Sequence, residues 1–231
     1  MRIAIVGGGA AGFFLAVAIK EIEKSHSVTI YESGSAPLRK VKVSGGGRCN
    51  ISNTFNNVKD LKDVYPRGHK LLKRLFKAFS PTDSQQLWQE HGVALTAQED
   101  ECIFPVSQSS QTVIDTLTIS AKRLGVQVFY NAKVESVAAL KNEYDAVVLA
   151  TGGIHLPSAD NPLYDELLKL GHEMLLPVPS LFTFSIENER LRELTGVVVE
   201  QVEMKVPGTK FRTSGALLLT HWGVSGPATL N

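Results

Sequence analysis

"RIAIVGGGAAGFFLAVAIKEIEK", residues 2–24, followed by "SVTIYE", residues 27–32, is the stretch whose reading decides the fold. Residues 3–19 are apolar or glycine throughout and follow Arg2, so a secretory leader is the competing reading. Gly7, Gly8, Gly9 and Gly12 would fray such a helix, at about 1 kcal/mol each relative to alanine. A strand, a tight turn and a helix account for the same letters. Arg2–Val6 has the continuous apolar run of a buried parallel strand, Ala10 onward has helical content, and "SVTIYE" is a second strand. The chain therefore opens on a βαβ unit.

Gly7, Gly9 and Gly12 form G-x-G-x-x-G at the strand-to-helix turn. In that context the three glycines permit, in order, a tight turn, close approach of backbone N–H groups to a diphosphate, and close helix–strand packing. Ala10 and Ala11 stand in the first helical turn, where free N–H groups and the helix dipole favour an anion. Glu32 ends the second strand 20 residues after Gly12, the spacing of a carboxylate that accepts from ribose hydroxyls. The chain is therefore expected to bind a dinucleotide with an unphosphorylated ribose. "VVLATGG", Val147–Gly153, resembles the second signature of two-dinucleotide-fold flavoproteins, and a second complete G-x-G-x-x-G is absent. FAD is the expected cofactor.

Further along, "GHKLLKRLFKAF" has helical periodicity, with Leu71, Leu72, Leu75, Phe76 and Phe79 expected inward and Lys70, Lys73, Arg74 and Lys77 outward. "SPTDSQQLWQEHG" reads as a helix with Thr82 and Gln85 at capping-box spacing and Gly92 as its stop. A helix over "SSQTVIDTLTISAKRLG" feeds a parallel strand, "VQVFYN". "AKVESVAAL" and "YDAVVLATGG" read as further strands, and "LYDELLKLG" as a short helix. After Pro179 the text turns β-rich, so residues 1–179 are expected as one domain and 180–231 as the start of an antiparallel one.

Net charge is only +1 over 231 residues, but Arg39–Lys77 holds 11 Lys/Arg against two acids, Asp60 and Asp63, a local balance of +9. A basic block in an otherwise acidic chain points to an anionic partner, with Lys70, Lys73, Arg74 and Lys77 as its face. Against a nucleic acid stands the lack of an evident stacking platform beyond scattered rings such as Phe55 and Tyr65. The two cysteines, Cys49 and Cys102, form no closely spaced pair, which excludes a disulfide framework, a structural zinc site and a disulfide-reductase reading, and favours reducing cytoplasm. His26, His69, His91, His155 and His172 have no ligand spacing, and no metal is expected. No segment is long and apolar enough to span a bilayer, and no membrane partner is expected.

"IVGGGAAG", "SGGGRCNISN" (44–53), "FPVS" (104–107), "LATGG" (149–153) and "THWGVSGPATL" (220–230), in this order, resemble the BaiN/RdsA family of FAD-dependent oxidoreductases. The resemblance implies an α/β protein, a Rossmann-type FAD domain interrupted by an inserted β-rich domain. Relatives run well beyond this length, so the chain looks truncated inside the insert, with the closing FAD segment absent. The segment after Gly153 lacks the Gly-Asp-Gly that many relatives carry.

The cofactor contacts expected on this basis are Gly7, Gly9, Ala10, Ala11, Gly12, Glu32, Ser33, Lys40, Ser44, Gly45, Gly46, Gly47, Arg48, Cys49, Val134, Ala150, Thr151, Gly152 and Gly153. The implied activity is reduction of an activated C=C, foremost of uridine to dihydrouridine in large-subunit ribosomal RNA. The alternatives are a flavin oxidase or reductase of a small amine or enone, and a FAD-fold fragment without turnover. Cys49 is the first candidate for a proton donor, since nearby cations and backbone N–H groups would stabilise its thiolate. His221 and Ser225 are further candidates, beside a helix expected to start at Pro227.

Overall fold

The structure is a computed structural model that describes residues 1–153, 162–173, 175 and 181–230. The chain divides into two compact units, Met1–Glu173 and Met174–Asn231; Pro179, the expected boundary, lies outside the described residues.

The first unit opens with β1 (Arg2–Val6), α1 (Ala10–Ile22) and β2 (Ser27–Tyr31). A long connection follows: α2 (Arg39–Val43), a 3-10 turn over Ser44–Gly47, β3 (Ser52–Asn53), α3 (Leu61–Val64), α4 (His69–Leu75), α5 (Pro81–Glu90), β4 (Leu95–Ala97) and β5 (Cys102–Pro105). The chain then returns through α6 (Ser110–Arg123), β6 (Gln127–Phe129), α7 (Val137–Glu143), β7 (Ala146–Leu149) and α8 (Pro162–Lys169). The main sheet has order β6-β2-β1-β7 with every pair parallel. That is the open, doubly wound order of a Rossmann-type domain. A small antiparallel sheet, β3-β5-β4, is carried on the long connection.

Strand alternation divides the core. Ile3 and Ile5 of β1 pack with Val28 and Ile30 of β2 under α1 (Phe13, Ala16, Val17) and α6 (Val113, Leu117, Ala121). Ala4 and Val6 face the opposite side, with Val137 and Leu140 of α7 and Leu163 of α8. A strand buried on both faces reads as continuously apolar, which is why "IAIV" has no polar position.

"AKVESVAAL", expected as a strand, instead ends in α7. Val137 and Leu140 fall three apart, so a helix brings both onto the Ala4–Val6 face, and β7 already holds the place beside β1. Ser136 caps α7 by accepting from the Ala139 N–H at 3.2 Å. Glu166 of α8 accepts from the Ser136 hydroxyl at 2.6 Å and from the Val137 and Ala138 N–H groups, placing an anion at a helix N-terminus. These bonds hold its carboxyl below the ordinary value of 4.5, the Ser136 hydroxyl foremost. A depressed folded-state value stabilises the fold above about pH 4.5 and ceases to as pH falls through it. Glu166→Gln is therefore expected to melt below the parent protein at pH 7, and the gap should close in melting curves taken towards pH 3.

The capping box of α5 stands two residues earlier than expected: Ser80 Oγ accepts from the Asp83 N–H and Asp83 Oδ2 accepts from the Ser80 N–H, with Pro81 in the first turn. The leucine face of α4 is also corrected. Leu71 and Leu75 are each 52% exposed, since a seven-residue helix carried on a loop is covered on few sides, and Phe79 beyond its end is exposed in part.

In the second unit, β8 (Phe184–Ser185), β9 (Val198–Lys205), β10 (Arg212–Thr220) and β11 (Gly223–Ser225) form an antiparallel sheet of order β8-β11-β10-β9, with α9 (Glu189–Glu193) and α10 (Pro227–Leu230). Among the described residues no helix is long and apolar enough to cross a membrane.

Candidate functional site

In an open parallel sheet, ligands bind beyond the carboxyl ends of the strands, where the order reverses direction. Here that place lies between β1 and β7, and the turns leaving them meet. Gly7 has φ +114°, and a Cβ there would stand 2.4 Å from the Ala150 carbonyl oxygen and 3.1 Å from the Thr151 N. A Cβ at Gly12 would stand 2.0 Å from the Gly7 carbonyl oxygen, so this glycine seats α1 on the turn. Gly9 differs. Its backbone is extended (φ −85°, ψ −171°), it caps α1 without a side chain, and a Cβ there meets nothing within 4 Å. Ala10 and Ala11 beside it are exposed. Two glycines are thus demanded by the protein's own packing, and the middle one opens a cradle at a helix N-terminus, as a dinucleotide's diphosphate requires.

Glu32 follows β2. Its Oε2 accepts from the Gly8 N–H at 2.8 Å and its Oε1 from the Gly34 N–H at 2.6 Å, with Ser33 Oγ at 3.5 Å. The carboxylate is therefore held beside the glycine turn. Lys40 of α2 is exposed and reaches towards the second turn, its Nζ 3.3 Å from where a Gly152 Cβ would stand. Thr151, Gly152 and Gly153 are exposed at the end of β7. Val134 is partly buried and packs against the Ala4–Leu163 side of the core.

The "SGGGRCN" loop follows Lys40 along the chain. Gly45, Gly46 and Gly47 all have positive φ (55°, 67° and 84°). Gly45 is enclosed, since a Cβ would fall 2.6 Å from the Asn50 N and 2.9 Å from Phe104 Cε1, whereas Gly46 opens to free space. Ser44 Oγ donates to the Val41 carbonyl at 2.8 Å, and the Ser44 carbonyl accepts from the Cys49 N–H at 3.0 Å.

The HI0933-like protein Rossmann domain model matches residues 1–211. The chain belongs to that family. Similar proteins include the ribosomal RNA dihydrouridine synthases of Escherichia coli strain K12, 29% identical over 98% of this chain and 58% of that protein, and of Haemophilus influenzae Rd, 26% identical over 98% and 59%. A 3-dehydro-bile acid delta(4,6)-reductase from Clostridium scindens is 23% identical over 97% of this chain and 58% of its own length. The chain thus spans under two thirds of the length of these relatives.

Two loop residues are placed otherwise than expected for this family site. Cys49 is only 7% exposed and packs in the α1–α6 core with Leu38 and Val41. Burial pushes its thiol up, and the Ser44 hydroxyl offsets this only in part, so the expected stabilised thiolate is not what this environment favours. Arg48 is turned onto the protein. Its guanidinium lies 4.3 Å from the Phe104 ring centroid, Nε donates to the Gly45 carbonyl at 3.2 Å and Nη1 to Gln108 at 3.4 Å. It clamps the glycine turn.

His221 and Ser225 belong to the second unit. His221 is exposed and meets Trp222 edge-on at 4.3 Å, and Ser225 sits in β11 opposite Leu218, its carbonyl accepting from the Thr229 hydroxyl at 3.3 Å. The helix starting at Pro227 is present, with four residues. Lys70, Lys73, Arg74 and Lys77 are all exposed. His155 lies outside the described residues.

Proposed function

We propose that the protein is an FAD-dependent oxidoreductase of the cytoplasm that reduces an activated C=C, foremost uridine to dihydrouridine in large-subunit ribosomal RNA. The observation that carries the cofactor assignment is the open cradle at Gly9, between a turn that Gly7 presses onto Ala150–Thr151 and the carboxylate of Glu32. The named relatives support the reaction class: dihydrouridine is uridine saturated across one ring double bond, and the bile-acid enzyme is named for reduction at delta(4,6).

Bound FAD would supply hydride for such a reduction, with NAD(P)H as the electron source. The protein's own part is binding and orientation. The first-turn N–H groups of α1 around Ala10 and Ala11 would receive the diphosphate, Glu32 would accept from ribose hydroxyls, and Lys40 with Thr151–Gly153 would border the site on the β7 side. The exposed cations from Lys70 to Lys77 favour a polyanionic substrate over a small amine or enone, because a diphosphate needs far less than a local charge of +9.

The test is reconstitution with FAD, followed by incubation with NADPH or NADH and unmodified large-subunit ribosomal RNA. Mass spectrometry of the digested RNA should show a gain of two hydrogens on one uridine. Flavin binding with turnover confined to a small enone would replace the RNA substrate in this reading. Failure to take up flavin would sink the reading as a whole.

A further inference from the structure

A second concavity lies in the first unit, on the segment that leaves the "SGGGRCN" loop. It is a cleft of about 460 Å³ walled by Phe55, Tyr65, Phe76 and Phe79, with the polar groups of Asn50 and Ser84 among its lining. Clefts of this size accommodate small planar ligands. Residues well separated in sequence are brought together here. The Phe55 and Tyr65 rings lie 6.5 Å apart and nearly parallel, at 13°, and Phe76 meets Phe55 edge-on at 5.6 Å.

Phe55 is held in an unusual conformation to stand there. Its φ is +60°, a region that a bulky side chain enters only under constraint. The constraint is visible: Asn53 Oδ1 accepts from the Phe55 N–H at 2.8 Å, and the Glu101 carbonyl accepts from the Thr54 N–H at 3.0 Å. Tyr65, 38% exposed, presents its ring at the surface.

The charges decide the occupant. Lys70, Lys73, Arg74 and Lys77 are exposed and interleave along the same segment with the wall residues Phe76 and Phe79. None of these cations lines the cleft, and Lys77 follows the wall residue Phe76 directly in the chain. Aromatic faces for an unstacked base and cations on the same segment for its phosphates are the two parts of a single-strand nucleic-acid site. An apolar metabolite would use the rings and leave the cations idle.

We infer that this cleft takes an unstacked base of single-stranded RNA, stacked on the Phe55–Tyr65 pair, while the Lys70–Lys77 cations hold the flanking phosphates. The inference rests on the proposed function for its choice of RNA, and it assigns the strand a place on the protein.

The experiment is a fluorescence-anisotropy titration of the purified protein with a labelled single-stranded oligouridylate, over a series of salt concentrations. Tyr65→Leu and Phe55→Leu keep apolar bulk and remove the π face. Each is expected to weaken binding about 10-fold, from the usual worth of one base–aromatic stack, with the salt slope unchanged. Tyr65→Phe, which keeps the ring, should bind as the parent does. Circular dichroism and melting temperature confirm that the variants are folded, and the exposed Tyr65 provides the arm least coupled to folding. Parental affinity in both leucine variants, or no measurable binding by the parent, overturns the inference. Dihydrouridine formation is scored separately with flavin-loaded protein. Reduction that persists with oligouridylate affinity indifferent to both rings overturns the cleft and leaves the enzyme reading. Ring-dependent binding without reduction supports the cleft and counts against the enzyme reading.

Discussion

Gly9→Thr is expected to leave the protein folded, with a melting temperature within about 2 °C of the parent, and to lower FAD affinity at least ~100-fold. The backbone at Gly9 is extended, a conformation that suits a β-branched residue, and threonine equals glycine as a helix N-cap. Nothing in the protein stands within 4 Å of the added Cβ, so no native contact is disturbed. The side chain would instead occupy the space beside the free N–H groups of α1, where a diphosphate must approach backbone closely. Gly12→Ala is the contrasting arm. Its Cβ would press within 2.0 Å of the Gly7 carbonyl oxygen, two backbones with no flexible side chain to yield. Overpacking of this kind costs about 1–3 kcal/mol or more, a fall of roughly 5–10 °C for a domain of this size. The pair separates a glycine needed by the ligand from a glycine needed by the fold. Melting curves with and without FAD, and a flavin titration, read both arms. A Gly9→Thr protein that keeps its flavin would remove the cradle as the diphosphate site.

The βαβ opening was legible because local pattern and tertiary demand agree there. β1 is buried on both faces, its turn needs glycine for reasons of contact, and Glu32 follows at fixed chain distance. Where they conflict, the sequence misleads. "AKVESVAAL" has strand-like letters, yet Val137 and Leu140 can both reach the Ala4–Val6 face only as a helix. Leu71, Leu75 and Phe79 have helical spacing, but periodicity states which residues share a face and not whether anything covers it. Cys49 illustrates a further limit. Its neighbours in sequence are glycines and Arg48, whereas in the fold it joins the buried apolar cluster that holds Leu38 and Val41, and that burial pushes its thiol up. The aromatic cleft has no signature in the sequence for the same reason: Phe55, Tyr65, Phe76 and Phe79 follow no motif, and only the folded chain brings them to one wall.

Reversing three charges, Lys70→Glu with Lys73→Glu and Lys77→Glu, is expected to cost about 100-fold in affinity for single-stranded RNA at low salt while leaving flavin binding intact. All three side chains are exposed and none forms an ion pair among those found in the described residues, so the substitutions break no native partnership. They change the local balance of Arg39–Lys77 from +9 to +3. Each lysine that neutralises a phosphate releases about 0.7 of a counterion from a single strand, so losing three contacts should flatten the logarithmic salt slope by about 2. This distinguishes charge reversal from removal of the Tyr65 ring, which should lower affinity at every salt concentration by the same factor. It also separates the substrate classes. A small enone carries no phosphates, and its turnover should be indifferent to these lysines, whereas modification of ribosomal RNA should fall with RNA affinity. If the triple variant binds RNA with the parental slope, the basic block is a solvated surface and the polyanion reading of the substrate fails.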